Sequence, residues 1–445
     1  MTDRKFTRRQ LLRVSAASAA GALAVACVPA GSPGATDSMS EGEAPDEAPT
    51  EVQFVNIWTA NDTPFIIALL EEWDETNPQY DLTLIQTTNR EATQKLQTLA
   101  SAGTPPDCGY WSPNAFIALA PAGAFLALDS YIERDADIVQ IDDFPDLSIN
   151  GASVDGVMYG IPWSINIQAF VSVPGLYDEA GVPHPDWDSW TWQDFGETAP
   201  LIAIGEFADK KIALANQQRY FVFMWAWGGD VLDESNDQQP ILDSDTNLEA
   251  LTFLKSLYEA DVVLTGEYGE AFGGLRPMLA SGRIAHAIHG IGTWNFMMRE
   301  AEVDWDFWHV PAGPAGRAAE VIPISFQVVA GSENPDGGWE LVKWLTDPSY
   351  AGGVFADNLQ SPARFSLREN FIEAALVLAP HATILPSLID YGHVRPGLRL
   401  PFGGEISSAV GSELFEPAIA NSDRTIEEAI EITQQKLEEI FDERA

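Results

Sequence analysis

Short β-rich runs alternate with helical repeats between residues 52 and 120, and this alternation restricts the fold more than any other feature of the chain. Residues 52–58 and 82–85 have strand character. Between them Phe65, Ile66, Leu69, Leu70 and Trp73 recur at helical spacing until Asn77-Pro78 stops the run. Ala92, Leu96, Leu99 and Ala100 mark a second helix, ended by Gly103. Pro105-Pro106-Asp107 then feeds a strand into Tyr110-Trp111, and a third helix covers 114–120. Such alternation predicts an α/β fold with a mostly parallel sheet and helices on both faces. Ligands of these sheets sit beyond the carboxyl ends of the strands. Trp58, Asn61, Asp62, Trp111 and Asn114 all fall just after strand ends.

A chain of 445 residues is too long for one ordinary core, so two domains are expected. The formal charge of -42, from 66 acidic and 24 basic residues, repels nucleic acid and anionic lipid. Only seven of the basic residues are Lys. An acidic, Lys-poor surface stays soluble in high salt, and it also suits an ordinary secreted protein. Two cysteines, Cys27 and Cys108, are too few for a disulfide scaffold or an all-Cys metal site.

The N-terminus carries Arg4, Lys5, Arg8, Arg9 and Arg13 ahead of a mildly apolar, Ala-rich run at 11–26. That run is too short and small-sided to be a stable membrane span. TRRQLL at 7–12 resembles a twin-arginine export signal. Ala24, Val25 and Ala26 before Cys27 resemble a bacterial lipobox, departing from it at Ala24, where Leu is usual. The resemblance implies a lipid on Cys27, with simple secretion as the alternative. Residues 28–50 hold Gly, Ser, Pro, Ala and acid with almost no large apolar side chain, and read as a flexible tether.

The stretch DGVMYGIPW at 155–163 has Gly156 in a turn, Gly160 where the backbone is tight, and Pro162 forcing Ile161 to extend. It resembles the segment that leads into the first crossover of bacterial extracellular sugar-binding proteins, the solute receptors of ABC importers. IWTAND, KLQTLASAGTPPD and GAFLALDSYI before it follow that family's order. LYDEAGV, WDSWTWQDF, GIGTW and NPDGGWELVKWLTDP follow after it. SPAR at 361–364 resembles the family's third crossover. The resemblance covers nearly all of 51–441. It implies a two-lobed, type II periplasmic-binding-protein-like fold with three crossovers, near 166–170, 321–324 and 360–364. Residues 51–165 plus 324–361 would form lobe one, and 166–323 plus 362–445 lobe two, after an export signal at 1–27 and the tether at 28–50.

The same resemblance implies a carbohydrate ligand, closure of the lobes on it, and delivery to a separate ABC permease with its own ATPase. A monomer on the outer face of the cell membrane is expected. Flat indoles cover the C–H faces of sugars, while amides, carboxylates and guanidinium groups meet the hydroxyls. Trp163, Trp225 and Trp294 join Trp58 and Trp111 as candidate rings, with Trp227 the alternative to Trp225. Asn61, Asp62, Asn114, Asn166 and Arg364 are the candidate polar partners. Trp187, Trp190 and Trp192 are read as structural.

Catalytic signatures are missing. The chain has no Gly-Lys pair for a P-loop, no G-x-S-x-G and no H-E-x-x-H. His286 and His289 fall on opposite faces of a strand, so no metal and no cofactor are expected. Two alternatives stay open. One is a receptor of the same fold for a polyamine, iron or a peptide, against which Arg364 in the cleft would argue. The other is a secreted carbohydrate-active enzyme, since acidic pairs abound.

Overall fold

In the first strand Val52 and Phe54 enter the main core while Val55 enters a smaller core on the other face, so both faces are covered. The computed structural model describes residues 48–58, 64–206, 209–216, 219–236, 238–350 and 360–444. Cys27, Asn61 and Asp62 lie outside these residues, as do the export signal and most of the tether.

Strands β1 (Thr50–Asn56), β2 (Tyr80–Gln86) and β3 (Cys108–Gly109) are parallel neighbours, with Phe54 opposite Leu84 and Cys108. Helices α1 (Pro64–Thr76), α2 (Ala92–Ser101) and α3 (Pro113–Leu119) connect and follow them. Ser112 caps α3, its hydroxyl accepting from the Ala115 N–H, and Pro113 occupies the first turn, where no N–H is needed.

At Asp155-Gly156 both residues have positive φ, which closes a short hairpin. Strand β4 (Gly160–Ile167) follows. A Cβ on Gly160 would come within 2.9 Å of Ser325 Oγ, so only Gly fits there. After Ile167 a single residue, Gln168, separates β4 from β5 (Ala169–Ser172), which belongs to a second sheet.

That second sheet has four strands in the order β8, β5, β7, β6, with β6 (Ile212–Ala215), β7 (Ile284–His289) and β8 (Asp306–Trp308). Around it lie α4 (Trp192–Ile202), α5 (Tyr220–Trp227), α6 (Asp245–Glu259), α7 (Leu275–Ala280) and α8 (Ile291–Glu300). Thr191 and Asp194 form a reciprocal capping box at the start of α4.

Strand β9 (Ala319–Val328) returns the chain to the first sheet. It runs antiparallel to β4 from Val321–Ile167 to Gln327–Gly160, with an irregularity at Ile324/Ser325. Its far end pairs with β3, and Ala319-Glu320 pair with β10 (Gly392–His393). A third stretch passes beside them: Ile165 N–H donates to Ser361 O and Ala363 N–H to Trp163 O. The parallel expectation therefore holds for β1–β3. The strands that carry the chain between sheets add antiparallel pairs, because they run in opposite directions through one narrow waist.

Asn334 caps α9 (Pro335–Thr346), whose Trp339, Leu341, Val342 and Leu345 are buried. Helix α10 (Ile426–Asp442) buries Ile426, Ile430, Thr433, Leu437 and Ile440 along one stripe. Trp190 and Trp192 pack around Phe170 in the second sheet's core, and Trp187 lies 4.0 Å from the His381 ring.

Candidate functional site

Beyond the carboxyl ends of β1 and β3 the chain is held rather than loose. The buried Asn56 side chain accepts from Trp58 N–H (3.1 Å) and donates to Trp58 O (3.0 Å) and Gln86 Oε1 (3.0 Å). This clasp fixes where the Trp58 ring begins. The ring meets Trp163 edge-on at 5.9 Å and lies 5.0 Å from Tyr110 and 5.9 Å from Phe326. Phe65 stacks near Trp163 at 6.5 Å. Such a cluster orients each ring without leaving one free to collapse.

Trp58, Tyr110 and Trp163 form one wall of a cavity of about 280 Å³. Its opposite wall comes from elements packed on the second sheet: Arg276 of α7, and Ile291, Gly292, Asn295 and Arg299 of α8. Residues 291, 295 and 299 recur four apart and so share one face of α8. Asn166, Ile324 and Gln360 from the waist form its floor. Tyr110, Asn166 and Ile324 also line an adjoining cavity of about 560 Å³. There they meet Asn89, Arg90, Thr93, Asn114, Ile322 and Arg395. Together the two cavities form a cleft between the sheets, within the size range of small-molecule sites.

Asn166 is the junction. Its Oδ1 accepts from Ile291 N–H (3.1 Å), at the first turn of α8, and from Gln168 Nε2 (3.2 Å). Nearby, Glu320 is 1% exposed and ion-paired to Arg219 (3.1 Å) and Arg395 (3.4 Å). Two guanidinium groups on one buried carboxylate leave a net positive charge at the waist. Burial, reinforced by the Arg219 and Arg276 charges, lowers the pKa of His289 to about 4. His289 Nδ1 accepts from Gly290 N–H and contacts Thr293 Oγ1 at 2.8 Å, and Arg276 Nε reaches that hydroxyl at 3.4 Å.

Of the residues expected from sequence, the structure brings Trp58, Trp163, Asn114 and Asn166 to the cleft. It places four others elsewhere. Trp111 points into a separate small core, its Nε1 donating to Ala92 O, because neighbours along a strand face opposite sides and Tyr110 takes the cleft side. Trp225 stacks on His393 at 4.9 Å and Trp227 lies against Phe253 at 5.0 Å; neither lines the cleft. Trp294 sits inside α8 rather than on a turn. It is 0% exposed, donates to His289 O and packs edge-on against Phe307.

Arg364 is 2% exposed. Its guanidinium donates to Thr346 O (2.8 Å) and Val139 O (2.9 Å), pairs with Asp143 (3.3 Å) and covers the Phe144 ring. It ties the third passage to α9 and to the segment 139–143 and is not in the cleft, so its argument against a polyamine falls. Sequence reasoning missed Tyr110, Gln360, Asn295 and the four cleft arginines. Tyr110 was recoverable from strand alternation. The arginines were not, because they lie up to 305 residues apart, from Arg90 to Arg395.

His286 is fully buried between Ser172 Oγ and Tyr177 OH, each 2.9 Å away, and burial lowers its pKa to about 3. Among the described residues, no cluster of three His, Cys, Asp or Glu side chains suits a metal ion. No described helix is long and apolar enough to cross a membrane.

No curated protein matches the sequence. Solved structures do match the fold. An ABC substrate-binding protein of Listeria monocytogenes, solved with cycloalternan, superposes with a TM-score of 0.76 at 22% identity, over 88% of this chain and 99% of its own. The maltose-bound MalE3 of T. maritima gives 0.73 at 20% identity, over 88% and 100%. UgpB of Mycobacterium tuberculosis, in complex with glycerophosphocholine, gives 0.72 at 18% identity, over 88% and 99%. The model of the family described as bacterial extracellular solute-binding protein matches residues 59–352. With two sheets joined at a narrow waist and a cleft between them, the chain belongs to that family of solute-binding proteins.

Proposed function

We propose that the chain is the extracellular receptor of an ABC importer and that its solute is an oligosaccharide, bound without chemical change. The observation that carries this reading is the cleft wall of Trp58, Tyr110 and Trp163 set opposite amides and guanidinium groups. Flat rings match the apolar faces of sugars, and the polar groups replace the water that sugar hydroxyls lose. The cycloalternan and maltose complexes of its structural relatives support it.

The proposal includes hinge closure about the waist, with the lobes divided at 165/166, 323/324 and 361/362, and transfer to a separate permease with its ATPase. Asn61 and Asp62 remain proposed ligand contacts. A lipid on Cys27 would hold a monomeric receptor at the outer face of the membrane. Mass spectrometry of exported protein is expected to find diacylglycerol on Cys27; a free N-terminus elsewhere would remove the anchor from the proposal.

X-ray scattering and calorimetry with a panel of oligosaccharides test the central claim. A bound sugar is expected to reduce the radius of gyration. Failure of every saccharide to bind the folded protein would overturn the oligosaccharide reading.

A further inference from the structure

The cleft inverts the charge of the chain around it. The chain carries 66 acidic and 24 basic residues. The described residues lining the two joined cavities include Arg90, Arg276, Arg299 and Arg395, and no Asp or Glu. The arginines come in two pairs on either side of Asn166. Arg276 and Arg299 face the smaller cavity, Arg90 and Arg395 the larger.

Two of these guanidinium groups, Arg90 and Arg299, are not claimed by an ion pair among the described residues, and both side chains lie exposed at the cleft rim. Arg395 shares the Glu320 carboxylate with Arg219, so one positive charge is left over. Arg276 packs over Gly292 in the first turn of α8. A Cβ on Gly292 would lie 2.5 Å from Arg276 Nη2, so Gly keeps that space open for the guanidinium.

From this arrangement we infer that the solute is an acidic oligosaccharide, a chain of uronic acid units. The inference rests on the oligosaccharide reading and narrows it. Arg pairs carboxylates in a planar, two-pronged geometry that a neutral sugar does not need. Two arginine pairs separated by an amide fit anionic groups repeated along the ligand, and an oligouronate carries one on every unit. The aromatic wall covers the sugar faces as before.

The test uses the full-length protein and trisaccharides of galacturonate, glucuronate and mannuronate. Each is paired with its carboxyl-reduced neutral counterpart, and glycerophosphocholine is included as an anionic non-saccharide. Affinity is measured by calorimetry on wild type, Arg90→Gln and Arg299→Gln, two exposed positions where folding is not at stake; a melting curve checks this. At least one uronate is expected to bind tenfold or more tightly than its reduced counterpart. That gap should shrink several-fold in each variant and as NaCl is raised, because the uronate loses more affinity than its neutral counterpart.

Equal or tighter binding of the neutral sugars, unaffected by the Arg variants, would overturn the acidic ligand and keep the oligosaccharide reading. Binding of glycerophosphocholine but of no trisaccharide would overturn both. A uronate preference that persists undiminished in both variants would place the charge recognition elsewhere and overturn the assignment to these arginines.

Discussion

The two walls of the cleft are made of different materials. The first-sheet wall is aromatic: Trp58, Tyr110 and Trp163, backed by Phe65 and Phe326. The second-sheet wall is a helix face of Gly292, Asn295 and Arg299 with Arg276 beside it. Its tryptophans, Trp190, Trp192 and Trp294, are spent on the core behind. Indole content is thus a poor guide to where a ligand lies. What matters is which face of its element a ring stands on: Trp163 points from β4 into the cleft, while Trp111 beyond β3 and Trp294 within α8 point into cores. An aromatic wall supplies area with little directionality, and a charged wall supplies direction.

The comparison breaks most visibly at Trp294. Trp294→Ala should cost about 3–5 kcal/mol of stability, the usual loss for a buried Trp. Chemical denaturation measures this, and ligand affinity should be near normal in the fraction that folds. A variant that melts normally and loses binding would put Trp294 in the cleft and undo the contrast between walls.

Acid should also act on the second-sheet side. His286 has a pKa of about 3 when folded and about 6.5 when unfolded, so the unfolded chain takes up its proton first as pH falls. Its contribution is therefore intact above about pH 6.5 and is lost progressively toward pH 3. At pH 5 that loss is about 2 kcal/mol. Denaturation at pH 7 and pH 5, in wild type and His286→Gln, should show a smaller acid loss in the variant. An identical loss would assign the acid sensitivity to other groups.

On the aromatic wall, Trp58→Ala should weaken sugar binding by about 2 kcal/mol, roughly thirtyfold, with a much smaller effect on melting than Trp294→Ala. The half-buried ring and the backbone clasp from Asn56 motivate this. A large drop in melting temperature with unchanged affinity would make Trp58 a core residue.

The smallest expected effect comes from Gly292→Ala. The added methyl displaces the tip of Arg276, a flexible group, so stability should hold while affinity for the ligand falls about threefold to tenfold. Unchanged affinity would show that Arg276 does not need its place above α8.

Much of the fold was legible because its signals are local. The repeats at 65–73 and 92–100, the stop at Asn77-Pro78 and the extension before Pro162 each act within a few residues. The cleft was only partly legible. Gly290 and Gly292 suggest a turn, yet Gly290 is the N-cap of α8, and one turn of helix rotates Trp294 inward while Asn295 faces out. Arg364 has a cleft-like motif, but each of its three nitrogens is claimed by a carbonyl or a carboxylate from 18 to 225 residues away. No pattern within a short window records such a partner.

In the proposed hinge motion Asn166 is the pivot, and position along a lever has its own energetics. A group near the fulcrum scarcely moves when the arms swing, so it contacts a ligand equally in both arrangements. Such a contact adds affinity but cannot bias one arrangement over the other, since only unequal binding shifts a population. The driving force for closure must come from groups out on the arms, Trp58 on one side and Arg299 on the other. Shortening a solute at its ends should therefore leave a molecule that still docks at Asn166 yet no longer shuts the jaws, a design rule for inhibitors that occupy a receptor without being handed on.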